Sequence, residues 1–165
     1  MTLGFDASTT CVGWAFYNGT TIEDAGFIDI SKLKTNKEKA FHVINTLATH
    51  PLLQNTSQIN LEAALSGFMG GRTSQQVIIM LARFNAIFEY VVAETWKKPV
   101  NLISVTTARK KVFGKARVKG IEPKVYVKEQ LSTKLDLTKF DKINKIGNWH
   151  QNNSDMYDAM VMSMA

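Results

Sequence analysis

Along this chain the spacing of apolar and polar positions changes several times, and each change marks an element. Residues 2–6 (TLGFD), 11–17 (CVGWAFY) and 21–30 (TIEDAGFIDI) are short runs rich in β-branched and aromatic residues, broken by Ser, Thr, Asn and Gly. Such runs suit a pleated, half-buried surface and predict three strands in an antiparallel meander. Asn18-Gly19 is the clearest turn signal, because both residues tolerate the positive φ of a two-residue hairpin turn. In 36–49 (NKEKAFHVINTLAT) the apolar positions Ala40, Val43, Ile44 and Leu47 recur at helical spacing, and Pro51 closes the segment. SQINLEA at 57–63 reads as a short strand that ends on Glu62. After the glycine-bearing loop LSGFMGGR comes 73–96 (TSQQVIIMLARFNAIFEYVVAETW), a long helix whose apolar residues, from Val77 to Val92, cover more than one narrow stripe. Such a helix has to bury a wide surface; the sheet offers one and a second subunit another. VNLISV at 100–105 is a further strand. A basic stretch at 106–120, a helix near 123–134, a polar loop through Trp149 and a last apolar helix, NSDMYDAMVMSMA, complete the chain.

Length and composition narrow the class. The 165 residues are one ordinary domain, and 45% hydrophobic residues suffice for a core. One cysteine, Cys11, excludes an internal disulfide, and an intracellular protein is expected. The start MTLGFDAS has neither the charge nor the apolar run of a signal peptide or membrane anchor, and the longer apolar runs are of core length.

The net charge of +6 is unevenly spread. Residues 1–96 carry six Lys and Arg against eight acids, a net of −2, and residues 97–165 carry fourteen against six, a net of +8. Ten of those fourteen fall between Lys97 and Lys128, where Glu122 is the only acid. A block this one-sided is either a solvated face or a surface that contacts phosphates.

Against that background four acids stand out. Asp6 ends the first strand, Glu62 ends INLE, and Asp155 and Asp158 lie three apart, on one face of the last helix. Each has a plain alternative: Asp155 as a helix-start acid after Ser154, Asp6 as a turn cap, Glu62 as a solvated strand end. Asp158 fits that alternative least, because it precedes AMVMSMA on a helix that has to pack. Four carboxylates at the ends of core elements repel one another unless a cation lies among them, and an all-oxygen ligand set suits magnesium or manganese.

LGFDASTTCVGWAF, INLEAALSGF and the DxxDA spacing of NSDMYDAM resemble, in order and interval, the RuvC-type Holliday junction resolvases, especially their bacteriophage relatives. The resemblance extends over essentially the whole chain, including GGRTSQQ and SVTTARKKVFG. It implies an α/β, RNase H-like fold in one domain, 1–165: a mixed five-stranded sheet, three antiparallel strands then parallel ones, flanked by helices. It implies a homodimeric endonuclease that cuts four-way junctions and other branched DNA, working in the cytoplasm of a bacterial or phage-infected cell. Asp6, Glu62, Asp155 and Asp158 would hold two Mg2+ ions, with Mn2+ as a substitute, for in-line hydrolysis leaving 5′-phosphate and 3′-hydroxyl ends. Phe68 stands where the family places an aromatic that stacks on junction bases, though it could equally fold back on the core. Arg72, Arg109, Lys110, Lys111, Lys115, Arg117, Lys119 and Lys124 would track phosphates, and Lys124 is the choice for a catalytic lysine. His150 is either ordinary surface or a proton-transfer group near the metals. The turn ASTT, where many bacterial relatives have proline and glycine, points to a viral-type branch, and the loose match over 106–153 leaves the preferred branched substrate open.

Three rivals remain. An actin-like kinase also opens with a strand, an acid and a Gly/Ser/Thr turn, but needs two such halves, for which the chain is too short. An RNase H acting on RNA–DNA hybrids would share fold and acids; the basic block and wide apolar helix favour branched DNA. Retention of all four acids speaks against a catalytically silent DNA-binding relative.

Overall fold

The computed structural model describes residues 1–63 and 74–165. Strands β1 (Thr2–Ala7), β2 (Cys11–Tyr17) and β3 (Ile22–Asp29) form the expected antiparallel meander, and β4 (Gln58–Glu62) and β5 (Val100–Ile103) add to it in parallel, giving the order β3-β2-β1-β4-β5. The hairpin between β2 and β3 is not the two-residue turn expected at Asn18-Gly19. Tyr17 pairs with Ile22 across a loop of residues 18–21, in which the Asn18 Oδ1 accepts the amides of Thr20 and Thr21 at 2.7 and 2.9 Å. The asparagine side chain thus supplies turn bonds that a tighter turn would draw from backbone.

Helix α1 (Asn36–Ala48) opens with a reciprocal cap: Thr35 accepts from the Glu38 amide at 3.1 Å and Glu38 accepts from the Thr35 amide at 3.0 Å. Its predicted residues Ala40, Val43, Ile44 and Leu47 are buried. Helix α2 (Gln75–Trp96) is capped by Ser74 and ends at Lys97 in the left-handed conformation, φ 50. By length and composition it could cross a membrane, contrary to the expectation that every apolar run is of core length only. Here Phe84, Phe88 and Val92 are fully buried in the core beneath the sheet, while Val77, Ile79, Met80, Ile87 and Tyr90 stay exposed. The basic stretch contains a helix that its charge conceals, α3 (Val105–Phe113), capped by Ser104 and closed by Gly114 at φ 77. Helices α4 (Pro123–Ser132) and α5 (Asn153–Met164) follow as expected.

Alternation along the strands sorts side chains into two cores. Leu3, Phe5, Val12, Phe16, Ile59 and Leu61 pack with α1 and α2 on one face, and Ala15 packs with α3, α4 and α5 on the other. The second face seats α5 at unusually close range. A Cβ on Gly4 would lie 2.3 Å from the Ser163 amide nitrogen, and one on Gly13 would lie 2.1 Å from the Asp155 carbonyl oxygen. Helix backbone therefore rests directly on strand backbone, and the buried Asn60 amide fastens it by donating to the Met162 carbonyl at 2.9 Å.

Candidate metal and active site

Strand register brings the first two acids together. Phe5 pairs with Leu61 in the parallel β1–β4 ladder, so Asp6 and Glu62 follow side by side, both on the α5 face by alternation with Phe5 and Leu61. Asp6 is also paired with Gly13 across the β1–β2 ladder, and above Gly13 sits the Asp155 carbonyl. The first turns of α5 thus lie over the strand ends that carry Asp6 and Glu62, and Asp155 and Asp158 share their electrostatic environment. The helix N-cap is Asn152, which makes no side-chain cap bond, so Asp155 occupies the first turn and faces the other acids without capping the helix.

Crowding shows in the protonation of the cluster. Burial, then the hydrogen bond and charge of Glu62, then Asp158 and Asp155, hold the Asp6 carboxyl well above its ordinary range. Glu62 is likewise raised, chiefly by burial, so the crowded pair holds on to protons that free carboxylates would give up. Asp158 is also raised by burial, only partly offset by Arg109. The Cys11 thiol is pushed up by burial and by the neighbouring Asp155, which keeps it a thiol.

Two cations join the acids. Arg109 on α3 donates from Nη2 to Asp158 Oδ1 at 2.8 Å, with the two side chains only 12% and 14% exposed. Lys124 on α4 donates to Ser154 Oγ at 2.9 Å and stands 3.9 Å from Asp155 Oδ1, while its side chain stays 59% exposed. Arg109, expected among the phosphate-tracking residues, is thus turned inward onto an acid. Lys110, Lys111, Lys115, Arg117 and Lys119 are exposed on α3 and the turn after it, and Lys111 donates to the Ala165 carbonyl. The His150 ring packs on Phe27 with centroids 4.7 Å apart, and its Nδ1 accepts the Asn152 amide at 3.2 Å. Phe68 and Arg72 lie outside the described residues. Ser154 was not foreseen; its place before DxxD was the available clue.

Among the described residues no three His, Cys, Asp or Glu side chains are arranged as a ready-made metal-ligand group. The donor set nonetheless fits a hard divalent ion, being all carboxylate and short of positive charge. Asp158 is matched by Arg109 and Asp155 is approached by Lys124, but among the described residues Asp6 and Glu62 form no ion pair. A divalent cation would replace the proton between them.

No family model and no curated protein sequence matches this chain. Solved structures do. The chain is similar to RuvC of Thermus thermophilus at a TM-score of 0.60 and 11% identity, over 99% of this chain and 90% of that one. Against T. thermophilus RuvC in complex with Holliday junction substrate the TM-score is 0.61 at 13% identity, with the same coverage. A yeast mitochondrial Holliday junction resolvase matches at 0.60 and 14%, over 99% of this chain and 75% of that one. The fold is therefore the RuvC-type, RNase H-like fold anticipated from the order of the acids.

Proposed function

We propose that this chain is a divalent-metal-dependent endonuclease that resolves four-way DNA junctions, and related branched DNA, by paired nicks. What supports this reading is the electrostatic proximity of Asp6, Glu62, Asp155 and Asp158 at one end of a sheet like that of RuvC, with an exposed basic segment, Lys110 to Lys119, that begins on α3, a helix packed against α5. Asp6, Glu62, Asp155 and Asp158 would hold Mg2+, or Mn2+ in its place. When bound, the metal supplies charge neutralisation at the phosphate and a water acidic enough to attack it, leaving 5′-phosphate and 3′-hydroxyl ends.

The chain's own residues do the rest. Arg109 fixes the Asp158 carboxylate from behind, as a positioning residue. Lys124, held by Ser154 yet more than half exposed, can donate to a phosphate oxygen as negative charge builds there. The exposed lysines and Arg117 supply sequence-independent attraction for the backbone. A homodimer would place two such sites on the two-fold symmetric junction, and the exposed apolar face of α2, Val77, Ile79, Met80, Ile87 and Tyr90, is the proposed interface.

The test is a panel of synthetic four-way junctions, forks, linear duplex and RNA–DNA hybrid, with magnesium or manganese and with neither. Symmetric nicks on the junction, lost in Asp158→Asn while binding persists, are expected. Preferential cutting of the hybrid would transfer the reading to an RNase H, and equal cutting of linear duplex would remove the junction selectivity.

A further inference from the structure

A cleft of about 370 Å³ opens next to the acidic site, walled by Lys124, Val125 and Lys128 of α4, by Trp149, and by Ser154 and Tyr157 of α5. It shares two side chains with the acids' surroundings: Ser154 accepts from Lys124, and the same ammonium reaches toward Asp155. A ligand in the cleft would be one side chain away from the carboxylates.

The aromatic wall is held in place. Asp141 Oδ1 accepts from Trp149 Nε1 at 3.3 Å and also from the Tyr157 hydroxyl, which fixes the two rings 6.1 Å apart at 40°. Buried Asn153 braces the same segment, accepting the Lys142 amide at 3.0 Å and donating to its carbonyl at 2.9 Å. Trp149 nevertheless keeps 42% of its surface exposed, and the Lys128 ammonium lies 4.9 Å from its ring centroid. Glu122, the cleft's one acid, is engaged as the α4 cap, accepting the Val125 amide at 3.1 Å. An aromatic face beside two lysine ammoniums suits a flat, uncharged ring that carries a phosphate, which describes a nucleotide of single-stranded or splayed DNA.

We propose that this cleft is a nucleobase subsite, taking one unstacked base of the strand being cut, stacked on Trp149 beside the scissile phosphate. Lys128 leaves the ring face for that nucleotide's phosphate, and Gln151, also in the cleft wall, offers an amide to the base edge. The cleft would thereby give the cut a nucleotide preference at a fixed offset from the nick. This rests on the nuclease reading above.

The test uses the full chain carrying Asp6→Asn, so that binding is read without cleavage. Four-way junctions with one abasic residue at each position flanking the nick, taken in turn, are titrated by fluorescence anisotropy. At one position the missing base should weaken binding about 5- to 150-fold, the range of a lost base–aromatic stack. Adding Trp149→Ala should erase that position's penalty, and Trp149→Phe, which keeps a ring, should retain most of it. The same abasic profile with and without Trp149→Ala, or a uniform loss at every position, overturns the subsite while leaving the nuclease reading intact. Failure of the chain to bind any branched DNA overturns both.

Discussion

Gly13→Ala tests whether the close seat of α5 creates the acidic site. The new Cβ would lie 2.1 Å from the Asp155 carbonyl oxygen and 2.8 Å from the Met156 amide nitrogen, where ordinary contact begins at 3.4 Å. The shortfall is 3.4 − 2.1 = 1.3 Å, and both obstructing atoms are helix backbone, so no rotamer change relieves them. Helix α5 would have to lift from the sheet while carrying Met156, Tyr157, Ala159, Met160, Val161 and Met162, all buried. Overpacking costs about 1–3 kcal/mol, and a backbone obstruction belongs at the upper end, about 3 kcal/mol. In a domain of this size that lowers Tm by about 6–12 °C. The same lift draws Asp155 and Asp158 away from Asp6 and Glu62, and a misplacement of about 1 Å costs roughly a hundred-fold in rate. Urea denaturation followed by circular dichroism reads the first effect, and junction nicking under magnesium reads the second. Gly19→Ala is the control: its loop has φ 99 and open space around the Cβ, so backbone strain of about 1 kcal/mol is expected with nicking unchanged. A Gly13→Ala protein as stable as the parent, or one destabilised but nicking at the parental rate, would refute the link between helix seat and site.

Four further outcomes are expected. Asp6→Asn should raise Tm in the presence of a chelator, because it removes a carboxylate that burial and its neighbours disfavour, while nicking disappears; a lowered Tm would count against the crowded-acid picture. The raised pKa values of Asp6, Glu62 and Asp158 mean that the folded state retains protons which the unfolded chain, at about 3.8 and 4.5, gives up. The cluster therefore destabilises the metal-free protein at neutral pH, and stability should rise as pH falls from neutral through the raised values. Comparing the urea midpoints of parent and Asp6→Asn across that window isolates the effect, and magnesium at neutral pH should remove it; a flat difference would contradict it. Arg109→Ala leaves Asp158 buried without its partner and should cost about 3 kcal/mol, the lower end for a broken buried pair because Asp158 can take up a proton. Most of that loss should return in Arg109→Ala with Asp158→Asn, as urea midpoints would show. Tyr90→Lys with Met80→Lys, both exposed, should give an 18.5 kDa monomer by light scattering with Tm nearly unchanged, against a larger parental species; a parent already monomeric at micromolar concentration would rule out the α2 interface.

Most elements were legible because their periodicity matched what they bury. The meander strands are rich in β-branched and aromatic residues, α1 repeats at helical spacing, and α5 follows its acids with the apolar run Ala159 to Met162. Helix α3 was not legible on that basis: Ala108 is its only buried apolar residue, and Arg109, Lys110 and Lys111 give it the look of a solvated stretch. Its cap at Ser104 and stop at Gly114 were the local clues. Charge pattern likewise cannot say which cation in a basic block turns inward, because that depends on a partner far along the chain; Arg109 and Asp158 are 49 residues apart. The aromatic cleft was hidden for the same reason, being assembled from α4, the loop before α5 and α5 itself.

The acids themselves were legible one by one, and what makes them a site is a single constraint that also governs packing. The α5-facing positions are Gly4 and Asp6 on β1, Cys11, Gly13 and Ala15 on β2, and Asn60 and Glu62 on β4. Under the body of the helix these positions are glycine, alanine or an asparagine that bonds the helix backbone, since nothing larger leaves room for contact at 2.3 Å from a would-be Cβ. Asp6 and Glu62 come near the ends of their strands, where α5 begins. Small residues draw the helix down, and its first turns then bring Asp155 and Asp158 to the two strand-end carboxylates. A sequence with the same four acids but larger residues at 4 and 13 would keep every local motif and lose the site.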